Sequence, residues 1–129
     1  MNYPMRFRLL LVCLCLAAVV ACGGGSGGGG EGANQPAGSH KLVLVDFKFQ
    51  PKTVSVGAGK VTFFLVNDGP SAHDMVIADS SGKSVARSTL VQPSNTETFA
   101  VTLAAGSYVF YCDLPGHRAA GMEGTLTVS

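Results

Sequence analysis

From His40 to Ser129 no window sustains a helical period. Apolar and polar residues alternate in short runs, and turn residues cut one run from the next. Leu42, Leu44 and Asp46 alternate with Val43, Val45 and Phe47. Lys52 to Val56 stops at Gly57-Ala58-Gly59, and Val61 to Val66 is apolar on both faces, as in a sandwich core. His73 to Ala78 alternates again. Thr96 to Leu103 puts Phe99, Val101 and Leu103 on one face, and Gly106 to Cys112 and Thr125 to Val128 complete the set. Asp68-Gly69-Pro70, Ser80-Ser81-Gly82, Pro93-Ser94-Asn95 and Ala105-Gly106 are turn sequences. Seven to eight strands in ninety residues predict an all-β fold, an antiparallel Greek-key β-sandwich. Ser84 to Val91 fits either a strand or a loop. A domain this size buries roughly 60–65% of its unfolded surface, which leaves room for one core and one site.

The residues before His40 read differently. Met1 to Arg8 carries Arg6 and Arg8 and no acid, and Leu9 to Val20 is an apolar run of twelve. These are the basic and apolar regions of a secretory signal, and the run falls short of the roughly 20 residues a membrane span needs. Val19-Val20-Ala21-Cys22 resembles the bacterial lipobox, which implies cleavage after Ala21 and a lipid on Cys22. Residues 1–21 are then the signal peptide, 22–39 the lipidated cysteine with a flexible Gly-rich linker, and 40–129 the folded domain. Gly23 to Ser39 is too poor in apolar residues to fold, and as a coil it spans roughly 20–25 Å. The expected location is outside the cytoplasm, anchored to a bacterial membrane on its periplasmic or cell-surface side.

This processing settles the cysteines. Cys13 and Cys15 leave with the signal, Cys22 becomes a thioether, and Cys112 is left without a disulfide partner in an exported chain. A leftover cysteine there is a free thiol or a ligand. Residues 40–129 hold five Lys and two Arg against five Asp and two Glu. Neutral overall, the domain has no basic patch for nucleic acid and no strong field for steering.

The stretch Cys112 to Met122, CDLPGHRAAGM, sets a thiolate, an imidazole and a thioether five residues apart. A soft anionic sulfur, a borderline nitrogen and a weak neutral sulfur suit copper better than any common hard metal. His73 upstream supplies a second imidazole, so His73, Cys112, His117 and Met122 are the candidate ligands of one copper ion. On the strand Gly106 to Cys112, Tyr108, Phe110 and Cys112 share a face, so a core-facing Phe110 brings Cys112 inward. Met75 shares a face with His73 and reads as core, and His40, at the linker edge, reads as solvated.

The pattern resembles the cupredoxins, small copper electron carriers that include plastocyanins, azurins and auracyanins. In that family one histidine lies upstream, and cysteine, histidine and methionine follow on one loop. His73 matches the first and Cys112, His117 and Met122 the rest. Phe47-Lys48-Phe49-Gln50-Pro51, Asn67-x-Gly69, Tyr108-x-Phe110-Tyr111-Cys112 and Gly124-Thr125-Leu126-Thr127-Val128 fit as flanks, so the resemblance covers residues 41 to 129. Four residues separate Cys112 from His117 and four separate His117 from Met122; this departs from plastocyanins and is nearer the auracyanins. Asp74 stands where the family commonly has Asn.

The resemblance implies a His₂Cys site with Met122 as a long axial ligand. Asn67, Asp74 and Asp113 are the residues expected to hold the ligands in place. His117 is the expected electron exit, through an apolar surface of Pro70, Leu114, Pro115, Ala119 and Ala120. The expected function is single-electron shuttling by a membrane-tethered monomer that meets redox proteins transiently. The alternative is extracytoplasmic copper storage or delivery. An enzyme would need a second metal or an open substrate position, and the chain offers one ligand set and three histidines.

Overall fold

The computed structural model describes residues 34–129, and in it the alternating runs become nine strands. They are β1 (His40–Val45), β2 (Lys48–Gln50), β3 (Thr53–Val56), β4 (Gly59–Asn67), β5 (Val76–Ala78), β6 (Ser84–Arg87), β7 (Thr96–Leu103), β8 (Gly106–Tyr111) and β9 (Glu123–Val128). One sheet has the order β2-β1-β4-β7 and the other β3-β9-β8-β5-β6. Their inner faces meet in the core expected from alternation: Leu42 and Leu44 on β1, Phe63 and Leu65 on β4, Phe99 and Leu103 on β7, Phe110 on β8 and Leu126 on β9 are all buried. Phe49 meets Phe110 edge-on, ring centroids 5.1 Å apart, an arrangement the aromatic quadrupole favours. The signal segment, Cys22 and the linker through residue 33 lie outside the described residues. Residues 34–39, the end of the linker, make a local turn in which the Ser39 N–H and hydroxyl both donate to the Pro36 carbonyl, at 3.1 and 2.6 Å.

The sandwich follows the expectation, with refinements that alternation does not carry. The strand count is nine rather than seven to eight, and Ser84–Arg87 is the edge strand β6. Two pairings run parallel, β1 with β4 and β3 with β9, while the others are antiparallel. Parallel partners come from distant chain segments, so no local signal marks them.

Two local expectations are corrected. Alternation predicts one strand through Phe47, but the chain reverses at Asp46 and Phe47, and Val45 pairs with Lys48 in a hairpin. Phe47 takes φ 68°, a conformation that Gly or Asn normally supplies in such a turn, so the sequence carried no turn signal. His73 does not open a strand: it forms an isolated bridge with Val91, and β5 begins at Val76. Met75 is fully buried, as read. His40 is half-buried rather than solvated, its ring 6.2 Å from that of Phe63.

Candidate metal centre

The parity of β8 sets the first donor. Phe110 and Cys112 both face inward and both are 0% exposed. Beyond Cys112 the chain folds into a loop closed by its own backbone. Cys112 N–H donates to the Met122 carbonyl, Met122 N–H to the His117 carbonyl and His117 N–H to the Leu114 carbonyl, each at 3.1 Å. Gly121, at φ 104°, turns the chain into Met122, a conformation costly for any residue with a Cβ. Outside, the Arg118 guanidinium lies 3.8 Å over the Tyr111 ring, and its Nε donates to Glu123 at 2.9 Å. The loop is thus tied to both β8 and β9.

His73 comes from the other side. Its N–H donates to the Val91 carbonyl at 3.1 Å, and its own carbonyl accepts from Val91 N–H at 2.8 Å. Asn67, fully buried, pins the turn before it: its Nδ2 donates to the carbonyls of Ser71 and Val91 at 2.8 and 2.9 Å, and its Oδ1 accepts from Gly69 N–H at 2.9 Å.

The three strongest donors converge. Cys112 Sγ lies 3.5 Å from His117 Nδ1 and 3.9 Å from His73 Nδ1, and the two Nδ1 atoms are 3.1 Å apart. All three atoms lie within 4.8 Å of one another. His73 and Cys112 are buried, His117 is half-buried, and Met122 is fully buried with its backbone bonded to both loop ligands.

Asp74 Oδ1 accepts from the Asp113 N–H at 2.7 Å, which joins the His73 segment to the Cys112 loop. Asp74 Oδ2 accepts from Arg87 at 3.0 Å, and the same guanidinium pairs with the Asp113 carboxylate. The carboxylate that stands where the family commonly has Asn therefore has a cation beside it. Of the expected contact surface, Pro70, Pro115, Ala119 and Ala120 are exposed, and Leu114 is half-buried against the core.

Three residues close to the ligands are not in the expected set. Asp46 Oδ1 lies 3.2 Å from His73 Nε2. Phe47, 44% exposed, meets the His117 ring edge-on at 5.2 Å. Arg87 is the clamp just described. Asp46 shows in the sequence through the inward parity it shares with Leu42 and Leu44, and Phe47 as the head of a family flank.

Burial pushes the Cys112 thiol up from its ordinary value, with smaller opposing help from backbone hydrogen bonds. Burial, and then the nearby His117, hold the His73 imidazole below 6.5, against the pull of Asp46. Without metal, burial therefore favours a protonated Cys112 thiol and a neutral His73 imidazole. A donor set of one sulfur and two imidazole nitrogens fits copper and would be poor for magnesium or calcium. His73, Cys112, His117 and Met122 would hold the ion.

The His73 shift has a consequence for metal-free protein. The folded imidazole takes a proton less readily than the unfolded one, so its stability contribution is complete above 6.5 and is lost as pH falls through the folded value. The melting temperature of the metal-free domain should fall on acidification below 6.5, and a His73→Gln variant should flatten that slope. An equally steep slope in the variant would place the sensitivity elsewhere.

Comparison with known proteins agrees with this geometry. Residues 39–129 match the family of copper binding proteins of the plastocyanin/azurin type. The plastocyanin of Nostoc punctiforme is 34% identical over 91 residues, covering 62% of this chain and 63% of that protein. That of Prochlorothrix hollandica is 38% identical over 85 residues, covering 62% of each. The chain thus spans less than two thirds of the length of these relatives. The fold superposes on reduced auracyanin from Roseiflexus castenholzii with a TM-score of 0.65 at 22% identity, over 74% of this chain and 99% of that one. With the family matched from end to end of the sandwich and a cysteine and two histidines converging at one end of it, the chain belongs to the plastocyanin/azurin family of copper binding proteins.

Proposed function

We propose that the chain carries single electrons between redox proteins, as a monomer tethered through a lipid on Cys22 to the outer side of a bacterial membrane. The observation that carries the reading is the cluster itself: three donor atoms within 4.8 Å, two residues buried and the third, His117, reaching the surface. When bound, copper supplies a one-electron Cu(I)/Cu(II) couple. The protein's part is to hold its ligands still. Cys112 gives up its thiol proton on binding, and the loop bonds Cys112–Met122, Met122–His117 and His117–Leu114 limit how far those ligands can shift between oxidation states. A frame that does not move keeps reorganisation small, so exchange is fast.

His117 is the route outward. Beside the loop an open depression of about 650 Å³ is lined by Cys112, Leu114, Pro115 and Ala119 among others. Its charged rim mixes Asp113 with Arg118 and Glu123, so no single sign dominates. Small, mixed surfaces of this kind suit brief encounters, whose interfaces run below roughly 1,200 Å². The reading is of a carrier and not an enzyme.

The full chain, expressed in a bacterium with copper, should sediment with membranes. Its oxidised form should show intense visible absorption that bleaches on addition of a one-electron reductant without release of copper. A colourless Cu(II) form would remove the mechanism. Copper passing to a chelator faster than electrons pass to a redox dye would favour storage or delivery.

A further inference from the structure

Asp46 sits in the two-residue turn between β1 and β2, on the side of His73 away from the donor cluster. His73 turns Nδ1 toward Cys112 and His117, at 3.9 and 3.1 Å. Its other nitrogen, Nε2, meets Asp46 Oδ1 at 3.2 Å. The second carboxylate oxygen is also held: Asp46 Oδ2 accepts from the Ser71 hydroxyl at 3.0 Å. The turn Asn67–Ser71 closes over this contact, with Asp68 N–H donating to the Leu44 carbonyl at 3.0 Å. Gly69 leaves no slack there, since a Cβ at that position would stand 3.0 Å from Asp46 Oδ1 and 3.2 Å from His73 Nε2.

The turn that delivers Asp46 is strained. Phe47 holds φ 68°, a left-handed conformation that a bulky side chain makes costly. Among the described residues no Lys or Arg pairs with Asp46, whereas Asp74 and Asp113 share Arg87. Asp46 is thus the carboxylate beside the ligands whose charge no cation offsets.

We propose that Asp46 is a positioning residue of the metal centre, which fixes the tautomer and ring orientation of His73 and favours Cu(II) over Cu(I). A carboxylate only accepts hydrogen bonds, so the proton of neutral His73 stays on Nε2 and the Nδ1 lone pair stays aimed at the cluster. The negative charge behind the ring makes the imidazole a stronger donor. The doubly charged ion gains more from that than the singly charged one, which lowers the reduction potential. The inference rests on copper occupying the His73–Cys112–His117 cluster.

Two variants separate orientation from charge. Asp46→Ala removes both, while Asp46→Asn keeps an acceptor for His73 at Oδ1 and removes the charge, with the Ser71 hydroxyl turning to accept from the new amide. Competition titrations should show Cu(II) affinity falling roughly 10–100-fold in Asp46→Ala, with Cu(I) affinity falling less and the potential rising. Asp46→Asn should lose less affinity and still show the raised potential. Nitrogen NMR of metal-free protein should find the His73 proton on Nε2 in the wild type and in Asp46→Asn, and a tautomer mixture in Asp46→Ala. A structural role alone would weaken both oxidation states equally, so an unchanged potential in Asp46→Asn overturns the proposal, and that variant decides if Asp46→Ala fails to fold. A wild-type chain with no affinity for copper would instead remove the electron-carrier reading, and the tautomer in metal-free protein would still decide for or against Asp46.

Discussion

Replacing Cys112 with serine is expected to abolish the intense visible absorption of the oxidised protein while leaving the metal-free fold nearly intact. The absorption requires a thiolate that donates charge to Cu(II), and a serine hydroxyl does not ionise near neutral pH to take that place. Loss of the sulfur should reduce copper affinity by more than the roughly 10–100-fold that loss of a supporting residue costs. The fold is insulated from the change. The Cys112 backbone N–H still donates to the Met122 carbonyl at 3.1 Å, and a hydroxyl placed near Sγ has His117 Nδ1, 3.5 Å from that sulfur, as an acceptor. A buried hydroxyl with a partner escapes the penalty of about 1–3 kcal/mol for an unsatisfied one. Melting of the metal-free variant should therefore fall by only a few degrees, while the colour disappears. Retention of the colour in Cys112→Ser would exclude Cys112 as the thiolate ligand.

That variant tests a residue whose placement is legible in the sequence. Strand parity alone aimed Cys112 inward once Phe110 was assigned to the core, because a β-strand permits two faces. Leu42, Leu44, Phe99 and Leu103 were legible by the same rule. The Asp46–Phe47 turn was not. Alternation continues through it, and the chain reverses there on a phenylalanine, the kind of residue that never signals a turn. Asp46 had the right parity, and a carboxylate in phase with Leu42 and Leu44 asks for a buried partner; the partner, His73, lies 27 positions away and only the tertiary fold could name it. Arg87 was hidden for a related reason. It sits on the edge strand β6, and its two carboxylates come from the His73 segment and the Cys112 loop. The carboxylate of Asp74, where the family commonly has Asn, is visible in the sequence. The cation that a third segment brings to it is not.

Gly124 is the position where the fold should prove least tolerant, and in the sequence it stands just before the closing run Thr125 to Val128. It lies on β9 opposite Phe110, its register partner on β8. A Cβ on Gly124 would fall 2.3 Å from Phe110 Cζ and 2.4 Å from the Lys52 carbonyl oxygen. Neither neighbour has room to yield. The Phe110 ring is 0% exposed and packed edge-on against Phe49. The Lys52 carbonyl accepts from Thr125 N–H at 2.9 Å, next to the β3–β9 pairing. Overpacking typically costs about 1–3 kcal/mol where side chains can adjust. With a backbone oxygen and a locked ring both in contact, Gly124→Ala should cost about 3 kcal/mol or more. For a domain this size that lowers the melting temperature by about 12 °C or more, a large part of the roughly 5–15 kcal/mol that holds such a fold together. The damage should reach the metal centre as well. Phe110 lies two residues before Cys112 and Gly124 two after Met122, and the Cys112–Met122 backbone bond joins the strands at that point. A Phe110→Leu change should relieve the ring contact and leave the Lys52 contact, so in a double-mutant cycle the pair should be less destabilising than the sum of the singles, by about 0.5–3 kcal/mol. A Gly124→Ala protein that melts within 4 °C of wild type, or a cycle that adds up without coupling, would show that the strand moves aside and that the contact with Phe110 does not limit the fold.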